Sequence, residues 1–163
     1  MKFLSLDNAL ATTGWCVWED ERPQSYGTFT TKSSASLEQR LGQIWSELNT
    51  LNNIYEFEYV FLEDCQKQVN ELTYKRLCMV QATILLWCYF NDVKYSVLSP
   101  SHWRKILSDK YKIKFGRSRA DQKAAARSFV KDQFSLSLGE DICDAICLGR
   151  AGLYEYNQSK SAF

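Results

Sequence analysis

Glycine is scarce in this chain: seven in 163 residues, with no G-x-G cluster among them. Phosphotransferases that cradle a nucleotide in a glycine-rich loop need such a cluster, so the composition argues against them. No apolar run approaches the roughly 20 residues of a membrane span. The longest candidate, Met79 to Phe90, is too short and contains Gln81 and Thr83. The N-terminal Met-Lys-Phe-Leu-Ser-Leu-Asp stretch lacks an apolar region of signal-peptide length, so the chain is expected in the cytoplasm. Histidine occurs once, as His102, and none of the six cysteines forms a C-x-x-C pair. Cys143 and Cys147 are four apart, but a zinc site takes about four ligands and no second pair has ligand spacing. The thiols read as small buried side chains in a reducing compartment.

What is present is an ordinary globular composition, 45% hydrophobic and 24% charged, in a length that suits one domain spanning 1–163. The net charge of +1 hides an asymmetry. Between Pro100 and Phe134 ten Lys/Arg face three acids, a local +7, and the rest of the chain carries −6. A basic block of that size suits a polyanion partner; the alternative is a solvated surface helix and loop.

Apolar spacing predicts strands over Lys2–Leu6, Gly14–Glu19 and Ser25–Thr31, the last two joined by a polar turn as in an antiparallel meander. Leu37, Leu41, Ile44, Trp45, Leu48 and Leu51 mark an amphipathic helix from Ser36 to Leu51, closed by Asn49 to Asn53. A buried type of strand follows, Tyr59–Leu62. A helix from about Asn70 to Phe90 grows more apolar towards its end, so it should pack on the sheet or on another subunit. Lys94–Leu98 is a strand. Ser99-Pro100-Ser101 suits the start of a short helix, His102–Leu107. Gly116-Arg117-Ser118-Arg119 reads as a flexible loop. Helices then run over Asp121–Phe134 and from Gly139 to about Tyr156. This order predicts an α/β fold: a mixed sheet with helices on both faces.

Three apolar runs end on, or are interrupted by, a carboxylate. Phe3, Leu4 and Leu6 lead into Asp7; Tyr59-Val60-Phe61-Leu62 leads into Glu63; Asp144 sits among Ile142, Cys143, Ala145, Ile146 and Leu148. Such a carboxylate is costly without a partner, a hydrogen-bond set or a metal ion. Asp7 alone has another reading, since Asp-Asn pairs form turns. Asp141 alone suits the first turn of a helix. Asp144 has no such explanation, and at i, i+3 it shares a helical face with Asp141, about 5–6 Å apart at Cβ. Strand ends are where chemistry gathers in α/β sheets. Four converging carboxylates would repel one another unless hard divalent cations joined them, and oxygen-only donors suit Mg²⁺ or Mn²⁺. Two such ions can activate water and stabilise the leaving oxygen of a phosphodiester. With the basic span as phosphate-binding surface, the composite is a metal-dependent nuclease.

With these residues assembled, the chain resembles the RuvC-type Holliday junction resolvases of the RNase H-like nuclease and integrase superfamily, over Lys2 to about Tyr154, and most of all their shorter bacteriophage forms. In that family a strand-end Asp precedes Thr-Gly-aromatic, as Asp7 precedes Thr13-Gly14-Trp15. The second acid ends a later strand, matching Val60-Phe61-Leu62-Glu63-Asp64. The last two follow Asp-x-x-Asp-Ala, matching Asp141 and Asp144-Ala145. Lys123 matches a basic residue that serves the active site, and Ser101-His102-Trp103-Arg104-Lys105 a short helix that faces DNA. The resemblance implies an RNase H-like sheet of three antiparallel and then parallel strands. It also implies two Mg²⁺ ions per site, with Mn²⁺ substituting, held by Asp7, Glu63, Asp141 and Asp144. DNA contacts fall to Arg104, Lys105, Lys114, Arg117, Arg119 and Lys123. The implied substrate is branched DNA, four-way junctions above all, cut by a homodimer in the cytoplasm (of a bacterial host, if phage-encoded). The helix from Asn70 to Phe90 is the candidate contact between subunits. Two departures stand out: Asn8-Ala9 replaces the common Pro-Gly, and Gln66 replaces an aromatic near the second acid. A related nuclease acting on structured RNA and a non-catalytic DNA-binding module remain as competing readings.

Overall fold

The computed structural model describes residues 1–67 and 69–161. Its elements run β1 (Lys2–Asp7), β2 (Thr12–Glu19), β3 (Arg22–Thr30), α1 (Leu37–Tyr55), β4 (Tyr59–Glu63), α2 (Glu71–Phe90), β5 (Lys94–Leu98), α3 (Pro100–Tyr111), α4 (Arg119–Phe134) and α5 (Glu140–Ser161). The strands form one sheet in the order β3-β2-β1-β4-β5. β1 pairs antiparallel with β2, and β2 with β3. β1 pairs parallel with β4, and β4 with β5. This is the expected mixed sheet.

Alternation along β1 sends side chains into two separate cores. Phe3 points to the face covered by α3, α4 and α5, where it packs on Trp18 and Phe61 in a core that also holds Trp103, Phe129 and Ile146. Leu4 and Leu6 point to the opposite face, against Ile44 and Leu48 of α1 and Val80, Ile84 and Trp87 of α2. Among the described residues no helix is long and apolar enough to cross a membrane. Ser99 caps α3 with Pro100 in its first turn, as its sequence indicates.

Several boundaries differ from the periodicity. β3 starts at Arg22 rather than Ser25, because Asp20 takes a positive φ of 54° and reverses the chain within two residues. α1 runs past Asn53 to Tyr55, ending where Glu56 turns left-handed and its N–H reaches the Asn52 carbonyl at 2.8 Å. α3 continues past Leu107 to Tyr111. The segment read as a loop at Gly116–Arg119 carries the start of α4, since the Ser118 hydroxyl accepts the Asp121 N–H at 3.0 Å.

Helix α5 lies across the sheet at very close range. A Cβ on Gly149 would stand 2.6 Å from the Ser5 hydroxyl, and one on Gly152 2.5 Å from the Phe61 ring. At the start of the helix a Cβ on Gly14 would stand 2.0 Å from the Asp141 carbonyl oxygen. The Thr13-Gly14 step therefore leaves room for the end of α5 that carries two of the acids. Gly14→Ala should push that end away and lower the melting temperature by about 5 °C, an overpacking cost of about 1–3 kcal/mol. Calorimetry checks this; an unchanged transition would deny the close approach.

Candidate active site

Asp7 and Glu63 stand at the carboxyl ends of adjacent parallel strands, one step beyond the Leu6–Leu62 register pair. Asn8, itself buried, ties these ends together: its side-chain oxygen accepts the Glu63 backbone N–H at 2.9 Å. The turn after Asp7 is pinned by Thr13, whose hydroxyl accepts the Ala9 N–H at 3.3 Å and donates to the Ala9 carbonyl at 2.9 Å. From the other side, the first turns of α5 bring Asp141 and Asp144 over β1 and β2. All four acids line one cleft of about 440 Å³ with Asn8, Arg104, Arg119 and Lys123.

Burial dominates the electrostatics. Asp144 is only 7% exposed. Burial raises the carboxyl of Asp7 well above the usual range, and the charges of Glu63 and Asp144 add to the shift; Lys123 opposes it through its field. Burial also raises Glu63, against the opposing effect of a hydrogen bond from the Trp103 indole N–H at 2.8 Å. Asp144 is raised by burial despite its ion pair with Lys123. Burial pulls the Lys123 ammonium down, but the bond to Asp144 and the charges of Asp144, Asp7 and Asp141 outweigh it and leave the group above its ordinary value.

Arg104 projects from α3 with its guanidinium carbon 4.9 Å from the centroid of the Trp103 ring. Its Nε is buried and makes no hydrogen bond among the described residues. The other basic candidates divide. Arg119 lines the cleft, and Lys114 an adjoining groove beside Gly116 and Asp121. Arg117 is exposed just before α4. Lys105 is exposed and engaged with Asp109 at 2.7 Å, one helical turn away. Sequence reading had not assigned roles to Asn8 and Trp103. Each adjoins a residue already singled out, Asp7 and Arg104, and that adjacency was the signal available.

The donor chemistry is oxygen only, which suits a hard divalent cation. Among the described residues no three His, Cys, Asp or Glu side chains stand close enough to hold an ion as placed. Among the described residues, the Lys123 ammonium is the cation that bonds into the acidic set, at Asp144.

The raised carboxyls have a thermodynamic sign. Asp7 and Glu63 keep protons in the fold that the unfolded chain gives up near its ordinary pKa, about 4. Above that range they detract from stability, and the metal-free protein should lose stability as pH rises towards neutral. Asp7→Asn removes one of these charges and should raise the melting temperature at pH 7 by about 2–4 °C, about 1 kcal/mol. Scanning calorimetry in chelator checks it; a lower transition would mean that Asp7 is compensated.

No family model matches the chain. The crossover junction endodeoxyribonuclease RuvC of Anaplasma phagocytophilum (strain HZ) is 30% identical over 146 residues, which cover 86% of this chain and 83% of the relative. That of Caldicellulosiruptor saccharolyticus is 24% identical over 156 residues, 91% of this chain and 89% of the relative. Among solved structures, Thermus thermophilus RuvC in complex with a Holliday junction substrate superposes with a TM-score of 0.75 at 12% identity, covering 96% of both chains. The yeast mitochondrial Holliday junction resolvase Ydc2 gives 0.61 at 14% identity, over 98% of this chain and 80% of that one.

Proposed function

The chain belongs to the RuvC family of crossover junction endodeoxyribonucleases, and from that premise we propose that its acidic cleft hydrolyses phosphodiesters at four-way and related branched DNA junctions. The observation that supports this reading best is the convergence of Asp7, Glu63, Asp141 and Asp144 from two strand ends and a helix start into one cleft. Buried like charges at this density call for cations, and one lysine offsets only part of them. We assign Mg²⁺, with Mn²⁺ as substitute and two ions per cleft, to these four acids. Bound there, the ions would lower the pKa of a water and neutralise charge on the scissile phosphate.

The chain's own residues account for the rest. Asn8 and Trp103 hold Glu63 from its backbone and its side chain. Lys123 offsets the charge of Asp144 while the cleft is free of substrate, and its ammonium can turn to a phosphate when one enters. Arg104 presents a buried donor without a partner at the cleft wall, which a phosphodiester oxygen would satisfy. Arg117, Arg119 and Lys114 extend the positive surface beyond the cleft, and Lys105 adds a more distant charge. The protein works in the cytoplasm in this reading.

Cleavage of labelled four-way junctions should require Mg²⁺ or Mn²⁺, with Ca²⁺ supporting binding alone. Asp144→Asn should slow cutting about a thousandfold, about 4 kcal/mol of barrier, while junction binding is kept or tightened. A fork and an RNA duplex run beside the junction separate the RNA-processing alternative. Cutting in excess chelator, or by Asp144→Asn at the normal rate, would remove the proposed site.

We also propose a homodimer, since paired nicks need two clefts. On α2, Leu72 and Leu86 are 55% and 54% exposed, and Phe90 is 70% exposed. Leu72, Met79 and Leu86 recur at seven-residue spacing, which places them along one side of the helix. Such an apolar stripe on a soluble protein asks for a cover. Leu86→Glu should shift the mass in sedimentation from dimer towards monomer at micromolar concentration and turn paired nicks into single ones. A wild-type protein sedimenting as a monomer would exclude the dimer.

A further inference from the structure

Trp103 belongs to the first helical turns of α3 and is 1% exposed. Its ring is wedged edge-on against Phe115, centroids 5.6 Å apart at 86°, with the Arg104 guanidinium over it. A buried indole N–H needs an acceptor. Here the acceptor is Oε1 of Glu63, at 2.8 Å. Glu63 is also fixed at its backbone, where its N–H donates to Asn8. Glu63 is therefore restrained at its backbone by the turn after β1 and at its carboxylate by α3.

We infer that Trp103 is a positioning residue for the reaction: its indole N–H sets the orientation in which Glu63 faces Asp7 and Asp144, before any cation arrives. The inference rests on the reading of the cleft as a metal-dependent nuclease site. Its physical basis is that a glutamate has several rotatable bonds, and ordering them in advance leaves less for the cation to restrain. Phe115, the ring in contact with Trp103, has no donor, and the Arg104 guanidinium lies over the face of the indole.

The test uses the full chain without DNA and reads Mn²⁺ binding from the electron paramagnetic resonance of the free ion. Trp103→Phe keeps an aromatic ring and removes the N–H; it should weaken Mn²⁺ binding about tenfold. In a Glu63→Gln background the same change should add less than twofold, because the route through Glu63 is already cut. In ¹⁵N-tryptophan-labelled wild-type protein, one of the indole N–H resonances should move on addition of Mg²⁺ and lose that response in Glu63→Gln. This readout decides the matter even if Trp103→Phe does not fold. Wild-type affinity in Trp103→Phe overturns the inference, and so does an equal tenfold loss in the Glu63→Gln background. Five unmoved indole resonances also overturn it when the wild type binds Mn²⁺. A wild type that binds no Mn²⁺ overturns the underlying reading of the cleft as well.

Discussion

The close seating of α5 on the sheet is the constraint on which the site depends. Three positions without a Cβ make it possible: Gly14 under the Asp141 carbonyl, Gly149 over Ser5 and Trp18, and Gly152 over Phe61. A helix at ordinary distance from the sheet would keep its aspartates away from the strand ends. Held this close, it brings Asp141 and Asp144 to the edge where β1 and β4 deliver Asp7 and Glu63. The Trp18 indole N–H, which donates to the Ser5 hydroxyl at 3.0 Å directly beneath Gly149, gives the contact a polar anchor in an otherwise apolar layer.

That closeness has an electrostatic consequence. Burial raises Asp7, Glu63 and Asp144 together, so the fold concentrates carboxyls where solvent relieves their charge only in part. Each acid is relieved differently: Asp144 by an ion pair with Lys123, Glu63 by a neutral donor from Trp103, Asp7 chiefly through the field of Lys123. A site of this kind works against the stability of its own fold, as functional sites commonly do. Arg104 and Arg119 line the same cleft, and positive charge beside the acids suits a polyanionic substrate.

After the first acid this chain has Asn8-Ala9, and the asparagine bonds the neighbouring strand end. The turn after Asp7 is thereby tied to β4 through a hydrogen bond. The seven-residue apolar stripe lies on α2, a helix whose other face packs under the sheet through Val80, Ile84 and Trp87. One helix thus serves the core and, in the proposed dimer, a second subunit.

Much of this was legible along the chain because it rests on local periods. Alternation and helical spacing located all five strands and the helices, and Asp141-x-x-Asp144 placed two acids on one face without reference to anything distant. The order of residue types at Asp7-to-Trp15 and around Glu63 was specific enough to indicate the family. Boundaries were less legible where a single backbone conformation decides them, as at Asp20 and Glu56. Other facts belonged to tertiary structure alone. That β1 lies beside β4, that Lys123 reaches Asp144 across 21 residues, and that Trp103 meets Glu63 across 40 are pairings no local period encodes. Nor could the chain show that Gly14 faces the Asp141 carbonyl. The reason is physical: periodicity reports which way a side chain leaves its own element, whereas its partner is set by how whole elements pack to bury their apolar faces.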